Sequence, residues 1–166
     1  MNLPDPTRLN LSAGLASVFV AISLVGLKRW AFSQTGALSV AASLADSAMD
    51  LMVSLGAMAA LIYAAKPADE DHAFGHTSAE DLAALGQALF VLISAGVITW
   101  AAVTRLLAPD AGRIESQAPG ILVMTVSVIL TLGLVWWQGR VAKRTQSRVV
   151  AADRLHYLGD LLPNIG

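Results

Sequence analysis

Residues 38–65, LSVAASLADSAMDLMVSLGAMAALIYAA, form a long, largely apolar stretch that contains two acidic side chains, Asp46 and Asp50. A membrane-spanning helix needs roughly 20 such residues. A charged side chain at the centre of a bilayer costs about 2.5–3.5 kcal/mol on insertion scales, and it is retained there mainly for function. Residues four apart lie on one face of a helix, so the two carboxylates are directed toward one point. The stretch therefore predicts a cation site inside a membrane.

The composition of the whole chain agrees with a membrane protein. Of its 166 residues, 55% are hydrophobic and 14% are charged, whereas soluble domains carry about 25% charged residues. The net charge of −1 suggests no nucleic-acid partner. The chain has no cysteine and only three histidines. A metal ion must therefore be held by imidazole nitrogens and carboxylate oxygens, and the positions of the histidines become informative.

The hydropathy pattern predicts an all-α, polytopic bundle of transmembrane helices within a single transmembrane domain, residues 1–166. Turn signals separate the apolar segments at residues 34–36, 66–67, 109–112 and 138–140. The predicted spans are residues 11–30, 38–65, 82–107, 120–137 and 149–166.

Lysine and arginine near the spans predict the orientation of the bundle. The segment 138–148, QGRVAKRTQSR, carries four of these residues, and we expect it to face the cytoplasm together with the N-terminus and the segment 66–79. Lys28 and Arg29 are assigned to the opposite side. The tryptophans lie near predicted span ends, as interfacial aromatic residues do.

A second pair with the same spacing, His156 and Asp160, lies in the fifth predicted span. If this helix faces the second one, four side chains surround one point: Asp46, Asp50, His156 and Asp160. That set suits a divalent transition ion such as zinc. The alternatives are an acidic pair that binds neighbouring helices through hydrogen bonds and an interior histidine without a ligand role. Asp153 is interpreted as an interfacial ion pair with Arg154.

The segment between the second and third spans holds the other two histidines, in KPADEDHAFGH at 66–76. Asp69, His72 and His76 have a spacing that can ligate zinc. The alternative is a solvated acidic turn that leads into the third span. In that case Ser78 caps the helix, and Glu80 and Asp81 favour its N-terminus. The two interpretations remain open at this stage.

Four segments together resemble the cation diffusion facilitator family, and they resemble its bacterial zinc and ferrous-iron efflux type most. The segments are ADSAMD at 45–50, KPADEDHAFGH at 66–76, AEDLAAL at 79–85 and RTQSRVVAADRLHYLGD at 144–160. The resemblance implies a six-helix secondary transporter of the bacterial inner membrane that exports divalent cations in exchange for protons. It implies a homodimer with a cytoplasmic metal-binding domain after the sixth helix. It also implies a transport site at Asp46, Asp50, His156 and Asp160, and a loop metal site at Asp69, His72 and His76.

The chain departs from the family pattern at two places. Ser78 stands where bacterial relatives usually carry a lysine that helps to tie the dimer together. The sequence also stops within the fifth predicted span, so we expect five of the six helices, no C-terminal domain and no transport by this piece alone.

Metal binding would require a neutral His156 and ionised carboxylates, so it would expel protons from the site. Exchange of a cation for protons then becomes antiport if the helices alternate between two access states. His156 favours zinc as the cargo, with iron(II) and cadmium as further possibilities. No catalytic cofactor is expected. The competing interpretations are a membrane-embedded metalloenzyme, although the chain has no H-E-x-x-H helix, and a passive cation channel or structural membrane subunit.

Overall fold

The computed structural model describes residues 6–36, 38–107 and 118–165, and these residues form five α-helices without a β-strand. This confirms the predicted all-α class. The predicted turn at 109–112 lies outside the described residues. The helices are α1 (Pro6–Thr35), α2 (Leu38–Ala64), α3 (Ser78–Leu107), α4 (Ala118–Thr145) and α5 (Arg148–Ile165).

Among the described residues, four segments are long and apolar enough to cross a membrane, in agreement with the predicted multi-pass membrane protein. They are Pro6–Thr35, Val40–Ala64, Ser78–Trp100 and Leu122–Thr145. They correspond to the first four predicted spans. Helix α5 is not among them, because its 18 residues include four charged side chains. That α5 also crosses the membrane remains a prediction.

The predicted turn at residues 138–140 is wrong, because α4 continues through this segment to Thr145. The chain breaks instead at Gln146, whose φ of 58° lies in the left-handed region. Its N–H bonds the carbonyl of Ala142 at 2.9 Å and closes the helix end. Gly139 lies inside the helix, where an added Cβ would lie 3.1 Å from Nε of Arg154. The glycine therefore makes room for a neighbouring side chain and does not form a turn.

The core of the bundle lies between α1, α2, α4 and α5. Gly14 of α1 approaches α2 so closely that an added Cβ would lie 2.8 Å from Sδ of Met58. This is the role expected of small residues in helix packing within membranes. Helix α3 packs mainly against α5 and α2, and most of its large apolar side chains are exposed. A lipid-facing helix has this distribution, since bilayer tails are as apolar as a protein core.

Three chain segments meet at one end of the bundle. Asn10 near the start of α1 donates a hydrogen bond to Oε1 of Glu80 at 3.4 Å. Ser147 at the start of α5 donates to Oε2 of the same carboxylate at 2.7 Å. Arg148 lies 3.1 Å from Asp81. The start of α1, the start of α3 and the α4–α5 junction therefore share one end, as the charge pattern predicted. That this end faces the cytoplasm remains a prediction.

Candidate metal centres

The first candidate centre joins α2 to α5. Nε2 of His156 lies 3.2 Å from Oδ1 of Asp50 and 3.6 Å from Oδ2 of Asp160. Each of the three residues offers one ligand atom, and these atoms all lie within 4.8 Å of one another. Asp50 and His156 are buried, at 6% and 4% exposure. The two helices thus lie close enough to present one shared set of ligands.

Asp46 lies outside this group of three, although the sequence placed it in the same site. It is exposed and lies one helical turn before Asp50 on α2. It still interacts electrostatically with Asp50 and His156. The structure therefore assembles three of the four predicted ligands and leaves Asp46 one turn away.

The imidazole of His156 is positioned by aromatic side chains. Its ring contacts Phe90 of α3 edge-on, with centroids 5.6 Å apart, and the neighbouring Tyr157 at 5.4 Å. Within the described part of the chain, Nε2 has no aligned hydrogen bond, although two carboxylates lie beside it. The nitrogen lies between two carboxylates from different helices, so a cation at this point could contact all three groups.

The second candidate centre lies between α2 and α3, and the structure brings together its three predicted residues. Asp69 bridges the histidines: its Oδ1 lies 3.0 Å from Nδ1 of His72, and its Oδ2 lies 3.3 Å from Nε2 of His76. The imidazole rings are 4.5 Å apart, centroid to centroid. The ligand atoms again lie within 4.8 Å of one another.

Local backbone geometry positions this loop. The N–H of His72 donates to Oδ1 of Asp69, three residues earlier in the chain, at 2.7 Å. Gly75 has a φ of 79° and bonds the carbonyl of His72 at 2.9 Å. His76 is buried against the ring of Tyr63, at a centroid distance of 4.7 Å. The loop is therefore organised around its acid and two histidines.

The pKa of Asp69 is lowered from its ordinary value of 3.8. Desolvation, the largest single influence, acts in the opposite direction. Hydrogen bonds from the ring and backbone N–H of His72 outweigh it, together with the charges of His72 and His76. The carboxylate is thus held in the ionised form that a metal ion needs.

The predicted interfacial ion pair of Asp153 with Arg154 is wrong. Asp153 is 3% exposed and accepts hydrogen bonds from Ser17, Gln87 and Gln138 at 2.7, 3.2 and 2.6 Å. Arg154 points elsewhere, and its Nε bonds the carbonyl of Val135 at 3.3 Å. Successive residues of a helix project in different directions, so neighbours in sequence do not face each other.

Asp153 belongs to a polar network that connects all five helices. Ser17 of α1 lies 3.0 Å from the hydroxyl of Ser54 in α2, and that hydroxyl lies 2.8 Å from the phenol oxygen of Tyr157 in α5. The amides of Gln87 and Gln138 bring in α3 and α4. This network was not predicted. Its signal was Gln87, an amide inside an apolar span, because such residues usually bond across helices.

Lys28 was counted with Arg29 on the side of the bundle opposite the N-terminus, and that orientation remains a prediction. Its side chain is buried, at 4% exposure, and it points into the bundle toward α2. Nζ donates to Oγ of Ser47 at 2.7 Å and to the carbonyl of Ser43 at 3.2 Å. A lysine within an apolar segment is rare enough to have indicated this placement.

Both candidate centres combine imidazole nitrogen with carboxylate oxygen. This donor set suits divalent ions of intermediate softness, zinc among them. A ligand histidine must be neutral and a ligand carboxylate ionised, so metal and protons compete for either centre. The first centre lies within the helix bundle and the second lies at one end of it. The described residues therefore offer one group of possible cation ligands within the bundle and another at its end.

Residues 14–166 match the cation efflux transmembrane domain family. The chain therefore belongs to this family of cation efflux transporters, which is not a family of enzymes.

Its relatives include proteins called cation-efflux pump FieF. The protein from Shewanella oneidensis is 42% identical over 152 residues, which cover 92% of this chain and 51% of that protein. The protein from Cronobacter sakazakii is 39% identical over 160 residues, or 96% of this chain and 53% of that protein. A Klebsiella pneumoniae relative is 37% identical over 157 residues, or 95% and 52%. The chain thus spans about half the length of these relatives.

Proposed function

We propose that this chain forms the transmembrane part of a proton-coupled exporter of divalent transition-metal cations. Asp50, His156 and Asp160 form the transport site, and Asp46 completes it when the cation is bound. The observation that carries this proposal is the placement of His156 between two carboxylates from different helices, at 3.2 and 3.6 Å. Relatives named cation-efflux pumps support the direction of transport.

Proton coupling follows from the chemistry of the ligands. Nε2 of His156 accepts a proton when no metal is present, and it must lose that proton to donate its lone pair to a cation. Protons and the metal ion also compete for the carboxylates of Asp50 and Asp160. Cation release to one side and proton entry from that side then form the two halves of one exchange cycle.

The ligand contacts also favour alternating access. Asp50 belongs to α2, whereas His156 and Asp160 belong to α5, so a small displacement of one helix against the other opens the site. A change of about 1 Å in a ligand distance is enough to break coordination, because metal–ligand bonds tolerate about 0.2 Å. The site can therefore bind and release its cation through rigid helix movements.

We place the end that carries Glu80 and the α4–α5 junction in the cytoplasm of a bacterial inner membrane. The basic residues near this end support the orientation, since cytoplasmic loops are enriched in lysine and arginine. The second centre, Asp69–His72–His76, then binds a divalent cation on the cytoplasmic side. A homodimer is the proposed assembly of the intact transporter.

Zinc is the proposed cargo, with iron(II) and cadmium as the next candidates. The single imidazole of the transport site favours zinc over magnesium and manganese, which prefer sites made only of oxygen ligands. No described residue near the site offers a thiolate, and the chain contains no cysteine, so copper(I) is disfavoured.

The test uses a chimera in which residues 1–166 replace the matching half of the Shewanella oneidensis relative. Everted membrane vesicles that contain the chimera are given zinc, and uptake is followed with and without an acid-inside pH gradient. We expect uptake that saturates and is accelerated by the gradient. Asp50→Asn should abolish it, and Asp81→Asn serves as the control, since Asp81 loses the same charge in an exposed position.

Three results would contradict the proposal. A zinc uptake rate that is the same with and without the pH gradient would show that transport is not coupled to protons. Uptake that survives Asp50→Asn and His156→Ala rejects the site. Flux that rises linearly with zinc concentration, without saturation, indicates a channel instead.

A further inference from the structure

Lys28 is buried within the membrane-spanning part of the bundle, and its ammonium group is fixed. Nζ donates hydrogen bonds to Oγ of Ser47 at 2.7 Å and to the carbonyl of Ser43 at 3.2 Å. Both acceptors belong to α2, whereas the lysine belongs to α1. The positive charge is thus held against one turn of α2.

The hydrogen bonds alone do not account for a lysine at this position. Helical serines of this chain bond carbonyls of their own helix, as Ser23 does with Phe19 at 2.8 Å and Ser127 with Val123 at 2.7 Å. Ser47 could do the same without a partner from α1. A buried ammonium is also harder to accommodate than an apolar side chain of similar size. The charge itself is therefore the property that distinguishes Lys28.

The turn that holds Lys28 is also the turn that carries the acidic pair. Ser47 follows Asp46 directly and precedes Asp50 by three residues. The ammonium interacts electrostatically with Asp46, Asp50 and Asp160. Lys28 is not a ligand, because a lysine ammonium has no lone pair to offer. In its ammonium form, Lys28 is a positive charge beside the transport site.

We propose that Lys28 is a resident cation that sets the charge selectivity of the transport site. This inference rests on the function proposed above. Three carboxylates bring three negative charges, and the ammonium balances one of them. A divalent cation then makes the group neutral when His156 is uncharged. A trivalent cation leaves one positive charge uncompensated in a medium of low dielectric constant.

Removal of the charge of Lys28 should change the affinities for divalent and trivalent ions by different amounts. The repulsion between Lys28 and a bound ion scales with the charge of that ion. Loss of the ammonium therefore improves trivalent binding more than divalent binding. We expect the ratio of terbium(III) affinity to cadmium affinity to rise by about tenfold or more. This magnitude is the Coulomb repulsion between the ammonium and the extra charge of terbium(III), at a separation of several ångströms and an effective dielectric constant of about 20.

The experiment measures cadmium and terbium(III) binding to the chain in lipid nanodiscs by calorimetry. Every protein carries His76→Ala, so that the loop centre does not contribute, and Asp50→Asn identifies the heat that belongs to the transport site. Lys28→Met and Lys28→Gln remove the charge, and the glutamine retains a hydrogen-bond donor toward Ser47. Lys28→Arg retains the charge. Arg29→Met is the matched control, since Arg29 is the next residue of α1 and is exposed.

The expected result is a raised affinity ratio for Lys28→Met and Lys28→Gln, and an unchanged ratio for Lys28→Arg and Arg29→Met. If Lys28→Gln leaves the affinity ratio unchanged, then hydrogen bonding to Ser47, and not charge, is the role of Lys28, and the inference is overturned. An equal shift in Arg29→Met also overturns it, because a general surface potential would then be the cause. Failure of the chain with Lys28 to bind cadmium at an Asp50-dependent site contradicts the proposed function itself, so the two failures are distinguishable.

Discussion

Gln138 of α4 donates a hydrogen bond of 2.6 Å from Nε2 to Oδ2 of Asp153 in α5, and both side chains are buried. The contact fixes α4 against α5, three residues before the candidate ligand His156. A buried carboxylate without its donors carries a large desolvation cost. The network around Asp153 therefore stabilises the part of α5 that presents the transport site.

Gln138→Leu is predicted to destabilise the chain by about 1.5–3 kcal/mol, since it leaves a buried carboxyl group without one of its hydrogen-bond donors. The melting temperature in detergent, followed by circular dichroism, should fall by several degrees for a chain of this size. Gln34→Leu is the control, because Gln34 is an exposed amide in α1. An equal fall of the melting temperature in both variants would show that the hydrogen bond to Asp153 does not contribute to stability.

The metal affinity of the transport site is predicted to depend unequally on the two acids of α2. Asp50 is buried beside His156, whereas Asp46 is exposed and lies outside the group of three. We expect Asp50→Asn to weaken zinc binding about a hundredfold and Asp46→Asn about tenfold, which correspond to roughly 2.7 and 1.4 kcal/mol. Calorimetry with the loop centre disabled measures both. A greater loss of affinity for Asp46→Asn would show that Asp46 contributes more than Asp50 to the metal-bound state, contrary to their positions in the structure.

The sequence predicted the ligands that lie on one helix better than the contacts between helices. The pairs Asp46/Asp50 and His156/Asp160 follow from helical periodicity, which requires no tertiary structure. The placement of α2 beside α5 was inferred from the chemistry of a shared ion, and the structure confirms that Asp50 and His156 lie close together. Loop residues Asp69, His72 and His76 were also found from spacing, because a short turn brings such neighbours together.

The errors concern residues whose environment is set by other helices. Asp153 was assigned to an interface because charged residues are usually found there, but partners from α3 and α4 hold it inside the bundle. The contact of Lys28 with α2 was not predicted either. The segment 138–140 was assigned to a turn because Gln-Gly-Arg is a turn signal after an apolar segment. A helix that extends beyond the bilayer has the same composition, so hydropathy alone does not locate its end.

The loop centre is predicted to keep Asp69 ionised at unusually low pH, because its pKa is lowered from 3.8. The contribution of this carboxylate to loop stability is fully present above the ordinary pKa, and it is lost as the pH falls through the lowered value. Carbon-13 NMR of the labelled carboxyl group in detergent should show a titration midpoint below 3.8. In His72→Ala the midpoint of Asp69 should move upward, and a midpoint that does not move would exclude His72 as the cause.

Ser147 is predicted to stabilise the α4–α5 junction through two bonds of one hydroxyl group. Oγ accepts from the N–H of Val150 at 3.4 Å, as a helix N-cap does, and donates to Oε2 of Glu80 at 2.7 Å. Ser147→Ala should therefore lower the free energy of unfolding by about 1–2 kcal/mol. Thermal unfolding measures the loss, and Ser33→Ala is the control, since exposed Ser33 bonds only a carbonyl of its own helix. In the double variant with Glu80→Gln the two losses should not add, because both substitutions break the same contact; strict additivity would show that Ser147 acts as a helix cap alone.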